Sequence, residues 1–317
     1  MFKRWALLAI KIALTVGFVW FLLRKIDIGD AWRTGKGIDP LMFSIALVLM
    51  LVQVYMCALR WQIVIKAIGS WLSLAKVAEI FWIGTFFGLV LPGAVGGDAI
   101  RMWKTRRAGL SLAASVNSVM LERVATVYGL ILLVAGTQSF MGDRLQGVPG
   151  LWVFPALTVV GTVGIVVLTL LDRFPQSFHR WKVIRAFAML AHDTRRLFLR
   201  PLRCGQTLTV AVLGQVNMSL CVYALALGLG AHVTVLDCLV LVPPVILITT
   251  LPLSIAGVGV REMAMVQFFG LIGVPQPQAL AMSVLFFIII VLTALPGGLL
   301  WLVSKDRLEM AAKEAEV

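Results

Sequence analysis

The chain has 317 residues, of which 60% are hydrophobic and 14% are charged, and its formal net charge is +13. Soluble globular proteins carry charges on about a quarter of their residues, so this composition excludes a soluble globular domain and predicts a membrane protein. The basic excess does not predict nucleic acid binding, because the basic residues lie beside apolar segments, where the positive-inside bias and anionic lipids account for them.

Several apolar segments are long enough to cross a membrane. A helix rises about 1.5 Å per residue and the hydrocarbon core is about 30 Å thick, so about 20 apolar residues suffice. The first segment is not interpreted as a signal peptide, because no small-residue cleavage site follows it. We predict an all-α polytopic membrane protein with six full spans, at 5–23, 40–59, 112–136, 149–171, 206–228 and 280–303.

Pro and Gly interrupt two further apolar segments. Residues 77–91 run into Leu-Pro-Gly-Ala-Val-Gly-Gly-Asp at 91–98, and residues 235–251 run into Leu-Pro-Leu-Ser-Ile-Ala-Gly-Val-Gly at 251–259. Pro and Gly at this density stop a helix, so we predict two re-entrant or broken helical hairpins. The interruptions share the pattern L-P-x-x-x-[GA]-G-x-x-x-R. In one transmembrane domain over 1–317, this pattern predicts an inverted repeat with halves at 1–171 and 172–303.

Loop charges predict the topology. If each hairpin enters and leaves on one side, both termini, the 60–76 loop and the 172–205 segment are cytoplasmic, which predicts a multi-pass protein of the bacterial inner membrane. The 172–205 segment carries eight basic residues and two Asp and reads as an interfacial amphipathic helix. The loop at 24–39 falls outside although it carries four basic residues, against the rule. Residues 304–317 form a polar C-terminal tail.

The interrupted segments suggest an anion site. Half-helices starting near Asp98 and near Val260 would present free backbone N–H groups and a positive dipole end. Gly lets a phosphate approach the backbone, and Arg101 and Arg261 add fixed charges. Alternatively, the interruptions only kink helices for packing, and both arginines snorkel to the surface. The candidate substrate-binding residues are Pro92, Gly93, Gly96, Gly97, Asp98, Arg101, Glu122, Arg123, Pro252, Gly257, Gly259, Arg261 and Glu262.

Two adjacent charges, Glu122 and Arg123, lie inside a predicted span. They are about ten residues from its start and so about 15 Å deep, where lipid tolerates neither charge. Adjacent residues on a helix point about 100° apart, so different partners are expected. We predict that Arg123 pairs with Asp98, and that Glu122 pairs with Arg101 or Arg261. The alternative is a purely structural intramembrane ion pair.

The motifs P-G-x-x-G-G-D-x-x-R at 92–101, Glu-Arg at 122–123 and G-V-G-x-R-E at 257–262 together carry a family resemblance. The chain resembles the lysylphosphatidylglycerol synthetase transmembrane-region family over nearly its whole length. The resemblance implies a flippase-like protein. In two-part members this region is fused to a soluble aminoacyl-lipid synthase domain. Fourteen residues follow Val303 here, so we expect that this chain does not itself charge lipids with amino acids. A separate lipid-modifying enzyme is therefore an expected partner, and a homo-oligomer is compatible with the sequence.

The leading functional hypothesis is a lipid flippase for an anionic, aminoacylated, polyprenyl-type or hopanoid-type lipid. The nearest alternative is a secondary transporter of a soluble anion, which needs a cavity closed to lipid. A membrane enzyme is not expected, because the three His residues lie in no motif with nearby carboxylates, and neither a zinc pattern nor a nucleophile elbow occurs. The four Cys residues show no C-x-x-C spacing, so no metal and no cofactor is predicted.

Overall fold

The computed structural model describes residues 33–90, 96–140, 152–170, 182–250 and 257–304. For residues 182–188 only the backbone is described. Within these ranges the regular structure is helical, and no strand occurs in them. The helices named here are α1 Pro40–Ala67, α2 Leu74–Val90, α3 Gly96–Arg107, α4 Leu112–Thr137, α5 Val153–Leu170, α6 Lys182–Phe198, α7 Pro201–Gly228, α8 Val235–Thr250, α9 Val260–Gly270 and α10 Gln276–Leu302.

Helix length and polarity confirm an all-α polytopic membrane protein. Four helices are long and apolar enough to cross a membrane: α1, α4 with its extension to Phe140, α7 and α10. The shorter apolar helices α5 and α8 add to them, and α5 exposes Val159 and Val163 by 63% and 55%, as a lipid-facing helix would. The predicted spans from residue 40 onward correspond to α1, α4, α5, α7 and α10. The predicted span at 5–23 lies outside the described residues.

Local signals explain where the long helices begin. Pro40 and Pro201 open α1 and α7, at positions where a missing N–H costs no helical hydrogen bond. The Asp39 side chain accepts a 2.8 Å hydrogen bond from the backbone N–H of Leu41. The Ser111 side chain accepts a 3.1 Å hydrogen bond from Ala114 at the start of α4. Each cap satisfies one of the N–H groups that a helix start leaves unpaired.

Helices α2 and α3 form an antiparallel hairpin around the first interruption. A Cβ on Gly97 would lie 2.4 Å from the carbonyl oxygen of Gly84, so the two backbones touch. Further along α3, Lys104 lies 3.8 Å from Glu79, nearer the start of α2. Because the partners on α2 move backward as α3 advances, the helices run in opposite directions. Residues 91–95 between them, with Pro92 and Gly93, lie outside the described part of the chain.

The second interruption also separates two packed helices. Helix α8 ends at Thr250 and α9 begins at Val260, and the two helices contact each other. Residues 251–256, which include Pro252, are not described. Gly257 and Gly259 have φ values of 75° and 83°. This left-handed region favours glycine, so both residues are suited to the turn that leads into α9.

The helices fall into two matching sets of four. Helices α1 to α4 have 28, 17, 12 and 26 residues, and α7 to α10 have 28, 16, 11 and 27. Their neighbours match as well, because α1 contacts α2 as α7 contacts α8, and α2 packs on α10 as α8 packs on α4. Helices α5 and α6 connect the sets. The chain therefore contains a structural repeat.

The central pair of helices shows how the repeat is oriented. The N–H of Asp39 donates to Gly228 over 2.9 Å, Cys221 Sγ donates to Ala46 over 3.3 Å, and Asn217 Nδ2 donates to Leu49 over 2.9 Å. Positions advance along α1 as they retreat along α7, so these equivalent helices are antiparallel. An operation that exchanges them reverses direction, as in an inverted repeat. The bounds 1–171 and 172–303 stay a prediction, because both halves include residues that are not described.

The basic segment before α7 contains the helix α6. Its Ala191, Thr194 and Leu197 are fully buried and recur every third residue, on the side that packs against the bundle. Arg196 donates a 3.1 Å hydrogen bond to the carbonyl of Ile68, after the end of α1. An amphipathic helix thus lies within the predicted 172–205 segment. Residues 172–181 and the tail beyond Ser304 are outside the described ranges.

Candidate functional site

A buried carboxylate lies where α1, α3 and α4 meet. Glu122 is 2% exposed, and each of its oxygens has its own guanidinium partner. Arg60 binds Oε1 through Nη2 and, over 3.2 Å, through Nε. Arg101 binds Oε2 through both Nη1 and Nη2, each over 3.2 Å. One negative charge therefore holds two buried arginines, which would each be costly without a partner.

Asp98, on α3, links the buried residues around Glu122 to a more exposed arginine, Arg123. Its Oδ1 accepts hydrogen bonds from Arg101 over 3.1 Å and from Arg123 Nη2 over 3.0 Å. Its Oδ2 accepts from Arg123 Nε over 2.9 Å, so the contact between Arg123 and Asp98 is bidentate. The Arg123 side chain is 50% exposed, whereas that of Arg101 is 5% exposed. Arg123 is the cation of this cluster that an incoming ligand can reach.

Aromatic rings hold Arg101 from its faces. Its guanidinium carbon lies 4.1 Å from the ring centroid of Trp61 and 4.6 Å from that of Phe81, within cation–π range. The Trp61 indole N–H donates to Ser118 over 3.2 Å, which orients the ring. Arg101 is 4% exposed as a residue, so the alternative in which it snorkels to the surface is wrong.

The first cluster has a positive surplus. Arg60, Arg101 and Arg123 contribute three positive charges, and Asp98 and Glu122 contribute two negative ones, which leaves a net charge of +1. The buried Arg60, Arg101 and Glu122 together carry this charge of +1, because the Asp98–Arg123 pair at the edge is neutral, and Arg123 is the member of the cluster that a ligand meets first. A net positive charge at this place in the helix bundle attracts an anionic group. We call these five residues the cationic cluster.

A second cluster surrounds the start of α9. Arg261 binds Glu262 over 2.5 Å and donates to Ser283 of α10 over 3.2 Å. Glu262 Oε2 accepts a 2.6 Å hydrogen bond from the backbone N–H of Gly259, which caps the helix. The Arg261 guanidinium also lies 4.8 Å from the ring centroid of Phe287. Arg261 and Glu262 are 4% and 7% exposed, so this pair is buried and neutral.

The two clusters are related by the structural repeat. Arg101 contacts Glu122 on the following helix at a separation of 21 residues, and Arg261 contacts Ser283 at a separation of 22. Ser283 therefore takes the place of Glu122 in the second half. The acid of that half is instead Glu262, next to its arginine. This difference leaves the surplus charge in the first half alone.

The predicted ion pairs can now be judged. The pairing of Arg123 with Asp98 is confirmed, and so is the expectation that Glu122 and Arg123 have different partners. Of the two partners proposed for Glu122, Arg101 is right and Arg261 is wrong, because Arg261 belongs to the second cluster. The snorkelling alternative fails for Arg261 as well, since its side chain is 5% exposed.

The structure groups the predicted residues by their place in the repeat. The half-helices begin at Gly96 and Val260, close to the predicted starts. Asp98 and Arg101 on α3 meet Glu122 and Arg123 on α4, with Gly96 and Gly97 in the first turn of α3. The other group consists of Gly257, Gly259, Arg261 and Glu262. No hydrogen bond or ion pair in the described ranges joins the two clusters. Pro92, Gly93 and Pro252 are outside those ranges.

Sequence reasoning missed Arg60. It ended the second predicted span at residue 59 and assigned Arg60 to a cytoplasmic loop, whereas α1 continues to Ala67 and Arg60 is 2% exposed. A signal was present, because Gln53, Cys57 and Arg60 recur at helical spacing on one face. Gln53 Nε2 and Arg60 Nη2 both lie 3.7 Å from Cys57 Sγ. Apolar residues after Arg60 allow the helix to continue with that face inside the bundle.

Comparison with known proteins identifies one family. The family model described as the lysylphosphatidylglycerol synthase TM region matches residues 8–297. This range includes both clusters and every helix up to most of α10. A comparison with curated proteins finds no match.

Proposed function

The chain belongs to the lysylphosphatidylglycerol synthase TM-region family, and on that premise we propose that it is a lipid flippase of the bacterial inner membrane. Its substrate is an anionic, aminoacylated, polyprenyl-type or hopanoid-type lipid whose headgroup it moves across the bilayer. One observation carries this proposal: the cationic cluster inside the helix bundle, with the half-exposed Arg123 at its edge. Charged residues inside spans often mark transport pathways.

In this proposal Arg123 makes the first contact with the headgroup. A phosphate and the Asp98 carboxylate are both acceptors that fit the two-pronged guanidinium, so the phosphate takes the place of Asp98. Asp98 stays paired during the exchange, because Arg101 also binds it over 3.1 Å. The exchange therefore leaves no buried acid without a partner. This feature favours a reversible contact, which a transporter needs at each stage.

The buried part of the cationic cluster acts as a rigid support. Arg60, Glu122 and Arg101 are each under 5% exposed, and both arginines donate hydrogen bonds to the Glu122 carboxylate. Glu122 is the eleventh residue of α4, hence about 15 Å from the start of that helix. An anion that reaches Arg123, the next residue, has thus crossed about half of a 30 Å hydrocarbon core.

The repeat suggests the second half of the path. Ser283 of α10 contacts Arg261 as Glu122 of α4 contacts Arg101, and inversion places equivalent sites nearer opposite membrane faces. A headgroup that leaves Arg123 would next meet the region of Arg261. The neutral pair Arg261–Glu262 binds an anion less strongly than the cationic cluster does, so release is expected there.

The proposal involves no chemical step on the lipid. We therefore infer that the chain is not an enzyme, needs no cofactor, and receives aminoacylated lipid, where that is the substrate, from a separate lipid-modifying enzyme. Cytoplasmic termini and self-association into a homo-oligomer belong to the same proposal. The positive charge of the 172–205 segment supports the orientation, since basic segments stay on the cytoplasmic side.

Flipping by the purified chain in liposomes tests the proposal. Tail-labelled fluorescent phosphatidylglycerol is incorporated in both leaflets, and dithionite reduces the outer one. We expect the wild type to make the inner-leaflet probe reducible and Arg123→Gln to slow this about tenfold or more, because a hydrogen bond to a charged group contributes about 1.5–3 kcal/mol. Arg123→Lys, which keeps the charge but loses the fork, should fall between them.

The control is Arg106→Gln, which removes an exposed positive charge from the last turn of α3. It should flip lipid at the wild-type rate. Equal rates for Arg123→Gln and wild type would refute the role of Arg123. A wild type that releases trapped glycerol phosphate from sealed liposomes but does not flip the lipid would instead support the soluble-anion transporter.

A further inference from the structure

A groove with one polar and one apolar end lies between the end of α1 and the start of α7. Its volume is about 620 Å³, within the range of about 300–1,000 Å³ that is usual for ligand sites. Lys66, Arg203 and Gln206 line one end, in the last turn of α1 and the first turns of α7. Leu59, Ile63 and Val210 line the other, mostly apolar end, beside the uncharged polar Gln62 and Thr209. We call this cavity the seam groove.

We propose that the seam groove binds one anionic phospholipid as a resident ligand, distinct from the lipid that is transported. Its charge is one-sided, because Lys66 and Arg203 line it and none of the described lining residues is acidic. Two cations at the end of two candidate membrane spans attract the phosphate of an anionic headgroup. The apolar end offers a surface for the acyl chain.

The spacing along the groove matches a phospholipid. Leu59 and Lys66 are seven residues apart on α1, which corresponds to about 10 Å of helix. This length accommodates the phosphate and glycerol at the polar end and the first methylene groups beside Leu59 and Val210. A free phosphate would use only the polar end. The apolar end therefore favours a lipid as the occupant.

The cations are suitably placed for a ligand. Arg203 Nη1 lies 3.5 Å from Gln206 Oε1, at the long limit of a hydrogen bond, so a phosphate oxygen would be a stronger partner. Lys66 is exposed at the end of α1. The seam groove is also separate from the cationic cluster, because Arg60 directs its side chain to Glu122.

A lipid in the seam groove would join the two halves of the repeat. Helices α1 and α7 are the equivalent helices of the two sets and share the most extensive helix contact of the described bundle. A ligand that binds the folded protein alone stabilises it in proportion to its occupancy. Phosphatidylglycerol should therefore raise the melting temperature of the full chain more than phosphatidylcholine does.

Photocrosslinking of the full chain in phosphatidylcholine nanodiscs tests the inference. The probe is phosphatidylglycerol with a diazirine on one acyl chain, and the labelled peptides are identified by mass spectrometry. We expect labelling of residues 59–66 and 201–210, and a loss of about fivefold for Lys66→Gln or Arg203→Gln, since each cation contributes about 1 kcal/mol. Arg106→Gln should label as the wild type does. Equal labelling by a phosphatidylcholine probe, or no loss in either groove variant, would overturn the inference.

A second pair of variants separates the groove from simple charge attraction. Val210→Trp fills the apolar end and leaves both cations in place, so labelling should fall, whereas Val159→Trp on the exposed face of α5 should leave it unchanged. Undiminished labelling of Val210→Trp, or complete competition by soluble glycerol phosphate, would contradict a lipid site. Labelling requires no flipping. Absence of flipping in the dithionite assay would therefore refute the proposed flippase function without contradicting the lipid site in the seam groove.

Discussion

The residue that decides the behaviour of the site is Glu122. It has two arginine partners and is almost inaccessible to solvent, so its charge is needed to keep Arg60 and Arg101 inside the bundle. Arg123, by contrast, is half-exposed and contacts an acid that has a second partner. The two adjacent residues therefore have different roles. Glu122 holds the buried arginines in place, and Arg123 is accessible to a ligand.

This difference predicts how the two positions respond to substitution. Glu122→Gln leaves the buried Arg60 without a counter-charge and Arg101 with Asp98 alone, and it should destabilise the protein by about 3–5 kcal/mol. Arg60→Gln combined with Glu122→Gln removes one charge of each sign and should recover part of that loss. Thermal unfolding in detergent measures both, with Arg123→Gln as the mild control. A single variant as stable as the wild type would show that Glu122 is not required for the pairing.

At the scale of elements, the hairpin of α2 and α3 positions the cationic cluster. The hairpin brings Asp98 and Arg101 against α4, and it can do so only because two glycine backbones touch. The close approach is specific, since a side chain at Gly97 would meet the carbonyl oxygen of Gly84 and not the end of a flexible side chain. Small residues at such contacts are a general means of bringing membrane helices together.

Gly97→Ala tests this contact. The added methyl group would lie 2.4 Å from a backbone oxygen, so the hairpin must open, at a cost of about 1–3 kcal/mol for overpacking. We expect a lower melting temperature and slower flipping, because Arg101 moves with α3. Gly164→Ala in α5 is the matched control, since an added Cβ there meets nothing within 4 Å. If Gly97→Ala behaves like the control, the helices do not depend on this contact.

At the scale of the whole molecule, the antiparallel pair α1 and α7 relates the two halves. In each half the arginine contacts the helix that follows it, although the second half has Ser283 where the first half has Glu122. If the two halves have opposite orientations in the membrane, the start of α1 and the end of α7 lie on the same side of it.

Cysteine accessibility measures this. In a background without the native Cys residues, we expect Gly37→Cys before α1 and His232→Cys after α7 to react with an impermeant maleimide from outside intact cells. Ser70→Cys, after α1, should react only once the membrane is opened. Reaction of Gly37→Cys and Ser70→Cys from the same side would mean that α1 does not cross the membrane.

The sequence by itself determined the class of protein, most helix positions and the pairing of Asp98 with Arg123. Apolar runs of sufficient length must enter lipid, and charges within them must be paired. Only the tertiary structure decided that Arg60 joins Glu122, that Arg101 and not Arg261 is the second partner, and that α1 packs against α7. The reason is that partners 62 or 168 residues apart depend on how helices pack side by side, which the periodicity of one helix does not encode.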